Sequence, residues 1–354
     1  MNGEKKTILV CPLGWGLGHA SRDIPIIESF LRDGHEVIVA GDEQSLALLS
    51  KRFVGIKTIH FPSFKVRFSK RKSQLFPLIW IAIQLPYHIL KEHFALNRLV
   101  KDYQIDLVIS DNRYGLWCKN AKTVLITHQL KVLFPTPFRS FELAGQWAVR
   151  FFAEKFDSCW IPDFLGSDNL AGELSHPSKI PSNAEYIGIL SRFLGIEINP
   201  TSINWDLVGV VSGPSPQREL FIEQVEKLVR RQKTKTLIMT GKPDEGTDII
   251  EKNGIWYAGH LNDSTFASVL KSSKYLICRA GYSSIMDLVA LGVKCLIVPT
   301  PGQTEQEYLA KHLSNEGLFK VCQQNKLENI DISEAKVELG SHDSSNLLQN
   351  PMRI

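Results

Sequence analysis

The sequence predicts an α/β protein built of two doubly wound, Rossmann-like domains that face each other across a cleft. Short apolar runs alternate with amphipathic helical segments along most of the 354 residues, which is the pattern of parallel strands covered by helices on both faces. Proline and glycine interrupt this series once, and it then starts afresh. The interruption predicts an N-terminal domain at 1–165, a linker at 166–204, a C-terminal domain at 205–325 and a polar tail at 326–354.

The composition is that of a globular cytoplasmic protein. Hydrophobic residues make up 44% and charged residues 22% of the chain, which excludes disorder for most of it. The net charge of +4 is too small to indicate nucleic-acid binding. The six cysteines show no C-x-x-C spacing and several lie in apolar runs, as reduced, buried thiols do. No signal-peptide pattern precedes the first strand, so we expect the protein in the cytoplasm.

The most informative stretch runs from Tyr275 to Leu313 and holds two strand–turn–helix units. Each turn follows the carboxyl end of a predicted strand and opens a helix, where free N–H groups favour a phosphate. Asp287, in the first helix, is suited to a sugar diol. The second turn carries donors and acceptors suited to hydroxyl groups: Gln303, Glu305, Gln306 and Glu307. A polar helix start in an ordinary βαβ unit is the alternative interpretation of this stretch.

A glycine-rich turn ending in a histidine follows the first predicted strand, Thr7–Cys11. Gly14, Gly16 and Gly18 let the backbone approach a ligand closely. Their spacing matches neither the dinucleotide G-x-G-x-x-G fingerprint nor a P-loop, so a phosphate site at this turn is disfavoured. His19 lies where the strand delivers side chains to the crevice.

Two further predicted strands end in polar side chains. Asp111 follows the strand 106–110, and His128 follows the strand 123–127. In a parallel sheet both ends fall on the edge that also carries His19. The sequence therefore predicts that His19, Asp111 and His128 share one rim of the first domain.

The segment from Lys65 to Leu90 differs from the rest of the first domain. It opens with a basic cluster: Lys65, Arg67, Lys70, Arg71 and Lys72. An aromatic-rich apolar stretch follows that is too short to span a bilayer. Four of its side chains share one helical face: Phe76, Ile79, Trp80 and Ile83. Pro77 fits the first turn of this helix, and Pro86 is expected to kink or end it. A surface lying on anionic lipid and a core helix after a solvated basic loop are both open interpretations.

With these segments placed, the chain resembles the two-domain glycosyltransferases of the GT-B fold. It is most similar to the family 28 branch, which contains the bacterial enzyme that adds N-acetylglucosamine to the lipid-linked peptidoglycan precursor. The resemblance runs from about Lys6 to Phe319 and is more specific in the C-terminal half. It implies a UDP-sugar donor, UDP-N-acetylglucosamine or a related hexose, on the second domain. It also implies a glycan or lipid-linked acceptor on the first domain, at the inner face of the cell membrane.

The resemblance assigns donor contacts by position. Gly281, Tyr282, Ser283 and Ser284 correspond to the diphosphate-binding helix start, and Asp287 stands where the family has a ribose-binding glutamate. The remaining implied donor positions are Gly213, Arg218, Leu261, Arg279, Gln303, Gln306 and Glu307. Leu261 occupies the position whose main chain reads the uracil. Gln306 matches the first of two sugar-contacting glutamines, and Glu307 replaces the second.

Elsewhere the chain departs from the family pattern. Pro214 and Pro216 intrude into the turn from Gly213 to Arg218. On the acceptor side, where Gly16, Gly18 and His128 are the implied contacts, the family's His-Glu-Gln-Asn run is Thr-His-Gln-Leu here. The resemblance implies no cofactor and no required metal, and no Asp-x-Asp pair occurs in the sequence.

Inverting glycosyl transfer needs a base that takes the proton of the acceptor hydroxyl. A histidine, with an unperturbed pKa of ~6.5, suits this role, so His19 is the candidate base and Asp111 the group that orients its ring. Helix N-termini with Arg218 or Arg279 can stabilise the leaving diphosphate. A structural His19 that caps the glycine turn is the alternative.

Two other classes of function stay open at this point. A UDP-sugar epimerase of related architecture would use paired acid and base groups around one sugar. A non-catalytic nucleotide-sugar binding protein would keep the Asp287 region and have no use for His19.

Overall fold

The structure is a computed structural model that describes residues 4–64, 75–198, 204–242 and 246–339; for 75–83, 136, 137 and 339 it describes the backbone alone. The described residues form two compact units, and the boundary between them lies between Leu190 and Ser191. Each unit is an α/β structure around a largely parallel sheet, which confirms the predicted fold class.

In the described part of the first unit, seven parallel strands form a sheet of order β3-β2-β1-β4-β5-β6-β7. The strands are β1 (Thr7–Cys11), β2 (Glu36–Gly41), β3 (Lys57–His60), β4 (Leu107–Asp111), β5 (Lys122–Ile126), β6 (Ser158–Ile161) and β7 (Ala184–Tyr186). The helices are α1 (Leu17–Arg32), α2 (Glu43–Arg52), α3 (Leu75–Tyr103) and α4 (Glu142–Ala153), with short 3₁₀ helices at Thr136–Phe141 and Gly172–Leu174. The sheet order reverses direction at β1 and β4, which places the ends of these two strands side by side.

The apolar runs of the central strands form the core of this unit. Leu9 of β1, Ile38 of β2 and Val108 of β4 belong to one buried cluster. Leu96 and Val100 of α3 complete it, so the second half of α3 covers one face of the sheet. Burial on both faces explains why these strands are continuously apolar rather than alternating.

Helix α3 is a single helix of 29 residues with Pro86 inside it. The expectation that Pro86 ends the helix is therefore wrong. A proline removes one helical N–H, but the helix continues because its later turns bury Leu96 and Val100 in the core. The basic cluster at 65–72 and the side chains of the predicted apolar face lie outside the described residues. Among the helices that the structure describes, none is long and apolar enough to cross a membrane.

In the described part of the second unit, the main sheet has seven strands in the order β10-β11-β9-β8-β12-β14-β15. The strands of this unit are β8 (Leu207–Val210), β9 (Thr236–Met239), β10 (Ile250–Lys252), β11 (Ile255–Ala258), β12 (Tyr275–Arg279), β13 (Val293–Lys294), β14 (Leu296–Val298), β15 (Lys320–Val321) and β16 (Glu338–Leu339). The helices are α5 (Gln217–Gln232), α6 (Asp263–Ser272), α7 (Tyr282–Ala290) and α8 (Thr304–Asn315), with 3₁₀ helices at Gln324–Asn329 and Ile332–Ala335. Among the strands that the structure describes in the main sheet, β10 alone runs antiparallel, and β13 and β16 form a separate antiparallel pair.

Two segments differ from the sequence interpretation. The predicted linker at 166–204 contains β7, which pairs with β6 and extends the first sheet. The predicted tail begins at 326, but Leu327 and Ala335 are fully buried in the core of the second unit. In both segments the apolar residues stand in two- to six-residue elements, which are too short to show a helical or strand period.

All six cysteines lie in the described residues, and all six are buried and unpaired. This agrees with the expectation of buried thiols.

Candidate active site

The glycine-rich turn after β1 begins the site of the first unit. Gly16, with a φ of 124°, is the residue before α1 and adopts a conformation that favours glycine. A Cβ added to Gly14 would collide with the carboxylate of Asp42, while its N–H donates a 2.9 Å hydrogen bond to Ser63 Oγ. The turn therefore needs glycine for space and conformation. Gly18 and His19 fall in the first turn of α1.

His19 and Asp111 form a hydrogen-bonded pair. Nδ1 of His19 lies 3.0 Å from Oδ2 of Asp111, the last residue of β4. Asp111 is fully buried, whereas 18% of the His19 side chain is exposed. A ring held by a buried carboxylate and open on its other side has the arrangement of a general base with its orienting group.

Arg22, one helical turn after His19, grips the same carboxylate with two hydrogen bonds. Its Nε donates to Oδ2 of Asp111 at 2.8 Å, and its Nη2 donates to Oδ1. Burial alone would raise the pKa of Asp111, but the charge of Arg22, together with His19, holds that pKa below its usual range. Asp111 is therefore an anion at neutral pH.

His128 joins this cluster through Arg22. It is buried after β5, and its Nδ1 lies 3.3 Å from Nη1 of Arg22. The structure thus brings His19, Asp111 and His128 together at one edge of the sheet. The sequence interpretation assigned no role to Arg22, although its spacing of three from His19 places both residues on one face of α1.

Asp23 is a second buried carboxyl group beside Arg22. It is fully buried, and its carboxyl group interacts with that of Asp111. Burial, reinforced by the nearby charge of Asp111, raises its pKa well above the ordinary value. The raised pKa favours the neutral form of Asp23 over a second anion beside Asp111.

In the second unit, the turn after β12 opens α7. Gly281 precedes the helix, and no described side chain caps its N-terminus. Tyr282 is buried, while Ser283 and Ser284 are partly exposed. A helix start without a side-chain cap presents N–H groups and a positive dipole end to an anion.

Arg279, the last residue of β12, is built into the unit instead of facing solvent. It is 1% exposed, and its Nη2 donates a 3.0 Å hydrogen bond to the carbonyl oxygen of Gln217. Its guanidinium lies 3.9 Å above the ring of Phe221. Burial lowers the pKa of Arg279 to about 9. These contacts give Arg279 a structural role at the start of α5, whereas Arg218 keeps 15% of its side chain exposed beside Glu219.

Asp287 lies on α7 and is hydrogen-bonded to the segment that enters the second unit. Its Oδ1 accepts a 2.6 Å hydrogen bond from Ser191 Oγ. Burial raises the pKa of Asp287 to about 6, although the charge of Arg192 and the Ser191 hydrogen bond act in the opposite direction.

The turn before α8 uses two of the expected sugar contacts for its own hydrogen bonds. Oε1 of Gln306 accepts from the N–H of Thr300 at 2.9 Å, and Oε1 of Glu307 accepts from the N–H of Gly302 at 2.8 Å. Gln303 is the residue before the helix. The Gln306 amide nitrogen and the second Glu307 oxygen take no part in these two bonds.

The last two donor positions are main-chain features. Gly213, after β8, adopts a φ of 99° that favours glycine. Leu261 is buried, and neither its N–H nor its carbonyl has a hydrogen-bond partner among the described residues. Unpaired main-chain groups of this kind can read the edge of a base.

Comparison with known proteins agrees with this geometry. The model of the glycosyltransferase family 28 C-terminal domain matches residues 207–353, and the model named glycosyl transferase family 1 matches residues 6–130. An uncharacterized glycosyltransferase of Methanosarcina acetivorans is 24% identical over 326 residues, which cover 88% of this chain and 84% of the relative.

A second relative has a specific name. The UDP-N-acetylglucosamine–N-acetylmuramyl-(pentapeptide) pyrophosphoryl-undecaprenol N-acetylglucosamine transferase of Acetivibrio thermocellus is 24% identical over 309 residues, covering 82% of this chain and 78% of the relative. Among solved structures, MurG of Acinetobacter baumannii is 15% identical with a TM-score of 0.52, covering 91% of this chain and 87% of that one. The spinosyn rhamnosyltransferase SpnG is 16% identical with a TM-score of 0.58, covering 97% and 92%.

The fold is the two-domain GT-B fold, and the protein is a glycosyltransferase. Its second unit resembles the glycosyltransferase family 28 C-terminal domain. The resemblance to the family 28 branch is thereby confirmed.

Proposed function

We propose that the protein transfers a hexose from a UDP-sugar to an acceptor hydroxyl, with inversion and without a cofactor or a metal ion. The observation that carries this proposal is the His19–Asp111 pair at the carboxyl end of β4. Neutral His19 takes the acceptor proton on Nε2 as the acceptor oxygen bonds to the anomeric carbon. The bond from that carbon to the diphosphate oxygen breaks, and UDP leaves with the bonding electrons. Asp111 stabilises the imidazolium that forms.

The second unit binds the donor in this proposal. The start of α7 from Gly281 to Ser284 takes the diphosphate, and Asp287 takes the ribose hydroxyls. Arg218 adds positive charge as the diphosphate leaves. The sugar and the base contact the remaining donor positions: Gly213, Leu261, Gln303, Gln306 and Glu307. Arg279 supports this site indirectly, because its hydrogen bond to the Gln217 carbonyl oxygen fixes the start of α5.

We favour UDP-N-acetylglucosamine as the donor substrate and a lipid-linked molecule as the acceptor substrate. The name of the Acetivibrio relative combines these two substrates. The exposed face of α3 supports a lipid-facing surface, because Tyr87, Leu90 and Phe94 lie at spacings of three and four and are 66%, 54% and 71% exposed. Lys91 and Arg98 are exposed on the same helix. Aromatic and aliphatic side chains beside cations suit a helix that lies on an anionic membrane.

Helix α4 offers a second exposed apolar stripe of the same kind. Leu143, Trp147 and Phe151 repeat every four residues and are 79%, 67% and 44% exposed. The rings of Trp147 and Phe151 stack at 5.4 Å, and Lys155 Nζ lies 4.5 Å from the Phe151 ring. We propose that the first unit binds the inner face of the cytoplasmic membrane peripherally, through these two helices and the segment 65–90.

Release of UDP from a panel of UDP-sugars tests the activity. A transferase releases UDP with an acceptor, or slowly by hydrolysis without one, and the rate is the same with and without EDTA. An epimerase converts the sugar without releasing UDP, and a binding protein does neither. His19→Ala separates catalysis from donor binding: UDP release that persists unchanged in this variant contradicts the proposal.

A further inference from the structure

Two histidines, His19 and His128, lie beside the Arg22–Asp111 pair. His19 Nδ1 lies 3.0 Å from Asp111 Oδ2, and His128 Nδ1 lies 3.3 Å from Arg22 Nη1. A neutral imidazole carries its proton on one nitrogen and can accept only on the other. The contact that each Nδ1 makes therefore decides what each Nε2 can do.

The partner of His19 accepts hydrogen bonds and cannot donate them. Asp111 is an anion, because Arg22 pairs with both of its oxygens. A carboxylate can bond to Nδ1 of His19 only if that nitrogen carries the proton. Nε2 of a neutral His19 is then unprotonated, as a general base requires.

The partner of His128 has the opposite character. An arginine side chain donates hydrogen bonds and offers no acceptor. Nη1 of Arg22 can bond to Nδ1 of His128 only if that nitrogen has a lone pair. The proton of His128 must then lie on Nε2, and His128 is neutral because a second proton on Nδ1 would face the guanidinium.

We propose that Arg22 is a positioning residue that makes the two histidines chemically different. It fixes Asp111, which leaves His19 with an unprotonated Nε2, and it bonds to His128, which leaves that ring protonated on Nε2. His19 can then accept the proton of a hydroxyl, whereas His128 can only donate at Nε2. This inference rests on the proposed transferase function, in which one histidine must be the base.

The surroundings of the pair bear on its pH dependence. The titratable groups around Arg22 and Asp111 are His19 and Asp23 of α1, Tyr114 after β4 and His128 after β5. Burial raises the pKa of Tyr114 above its ordinary value, so that this phenol is neutral at pH 7. Arg22 and Asp111 are thus the fixed charges of the cluster, and they are opposite in sign.

Nitrogen NMR of the histidine rings tests the proposal without any substrate. Protein labelled with ¹⁵N-histidine shows the protonated nitrogen of each ring, and His19→Gln and His128→Gln identify the two signals. We expect the proton of His19 on Nδ1 and that of His128 on Nε2 at pH 7.5. In Arg22→Met the His128 signal is expected to become a mixture of both tautomers. Asp111→Asn is the matched control, because it keeps Arg22 and leaves His128 protonated on Nε2.

An Arg22→Met protein that does not fold is replaced by the double variant Arg22→Met/Asp111→Asn, which removes both buried charges together and is expected to show the same mixture. A His128 spectrum that is unchanged when Arg22 is absent overturns the proposal, as does a wild-type His128 protonated on Nδ1.

In the activity assay, Arg22→Met is expected to release UDP about 10²-fold more slowly. The loss should deepen as the pH falls, because Asp111 without Arg22 becomes protonated. The ring spectra stand whether or not the transferase activity is found, so the two proposals fail separately.

Discussion

The hydroxyl group of Ser191 donates a 2.6 Å hydrogen bond to Oδ1 of Asp287. Ser191 is the first residue of the second unit, and Asp287 lies on the helix that opens at the proposed diphosphate turn. A ribose bound to Asp287 has to share the carboxylate with this hydroxyl group or displace it. In the proposed donor site, the ribose and the segment that enters the unit would therefore compete for one carboxylate.

Asp287→Ala should weaken UDP binding by about 1–3 kcal/mol, because a hydrogen bond to a charged group is lost. Isothermal titration with UDP measures this change. Ser191→Ala is the matched control, since it removes the same internal hydrogen bond and leaves the carboxylate for the ribose. Equal losses in the two variants would mean that the Ser191 bond, and not a ribose contact, is what the titration detects.

The raised pKa of Asp287, about 6, predicts a pH-dependent stability. Its folded value lies above the ~3.9 of an unfolded chain, so its contribution is fully present below pH ~4 and is lost as the pH rises through 6. Asp287→Asn keeps an acceptor for Ser191 without the charge. We expect this variant to be more stable than wild type by about 1–3 kcal/mol at pH 8. Urea unfolding at pH 8 and pH 4.5 checks it, and the difference must shrink at the lower pH.

His19→Ala should lower turnover by about 10²–10⁴-fold and leave UDP affinity nearly unchanged, because the base belongs to the first unit and the donor contacts to the second. UDP release gives the turnover, and titration with UDP gives the affinity. Turnover close to that of wild type would return His19 to a structural role in the glycine turn.

Arg279 and Arg218 should differ in what their loss affects. Arg279→Met removes a buried guanidinium from Phe221 and from the Gln217 carbonyl group, so we expect a loss of about 1–3 kcal/mol in the free energy of unfolding. Arg218→Met should lower that free energy less than Arg279→Met does, because 15% of the Arg218 side chain is exposed, and it should weaken UDP binding. Urea unfolding and calorimetry on both variants separate the roles, and the opposite pattern would make Arg279 the diphosphate contact.

Binding to anionic vesicles should depend on the exposed faces of α3 and α4. We expect the protein to sediment with such vesicles at low salt, and to do so less at high salt and in Trp80→Glu, Phe94→Glu and Trp147→Glu. Val54→Glu is the matched control, because Val54 is 96% exposed outside these helices. A wild-type protein that stays in the supernatant at low salt would indicate a soluble acceptor.

The elements with strong patterns could be predicted from the sequence. Strands such as β1 and β12 are buried on both faces, and their continuous apolar runs indicate this burial. β7 and β15 have three and two residues, and they are strands only because a neighbouring strand pairs with them. A local pattern cannot contain that information. Cys295 likewise separates β13 from β14, because β13 pairs with β16 instead of joining the main sheet.

The sequence could predict which strand ends form the candidate site, but not the hydrogen bonds and ion pairs that connect its side chains. The parallel sheet brings His19, Asp111 and His128 to one edge, and that follows from the order of the strands. Arg22 and Asp23 are adjacent on α1, yet one is a charged partner of Asp111 and the other is a buried acid whose pKa is raised. That difference arises from distances and burial across elements, which spacing along the chain does not give.

The burial of all six cysteines has a practical consequence for chemical labelling. Burial raises the pKa of the Cys11, Cys159 and Cys278 thiols to about 12, so that almost none of each is thiolate at neutral pH. A thiol reagent should therefore leave the native protein unmodified and react with six groups once it is denatured. A cysteine placed at Phe94 would then be the one reactive thiol on the native surface. A fluorophore attached there would report the polarity of whatever medium meets that helix, without any background signal to subtract.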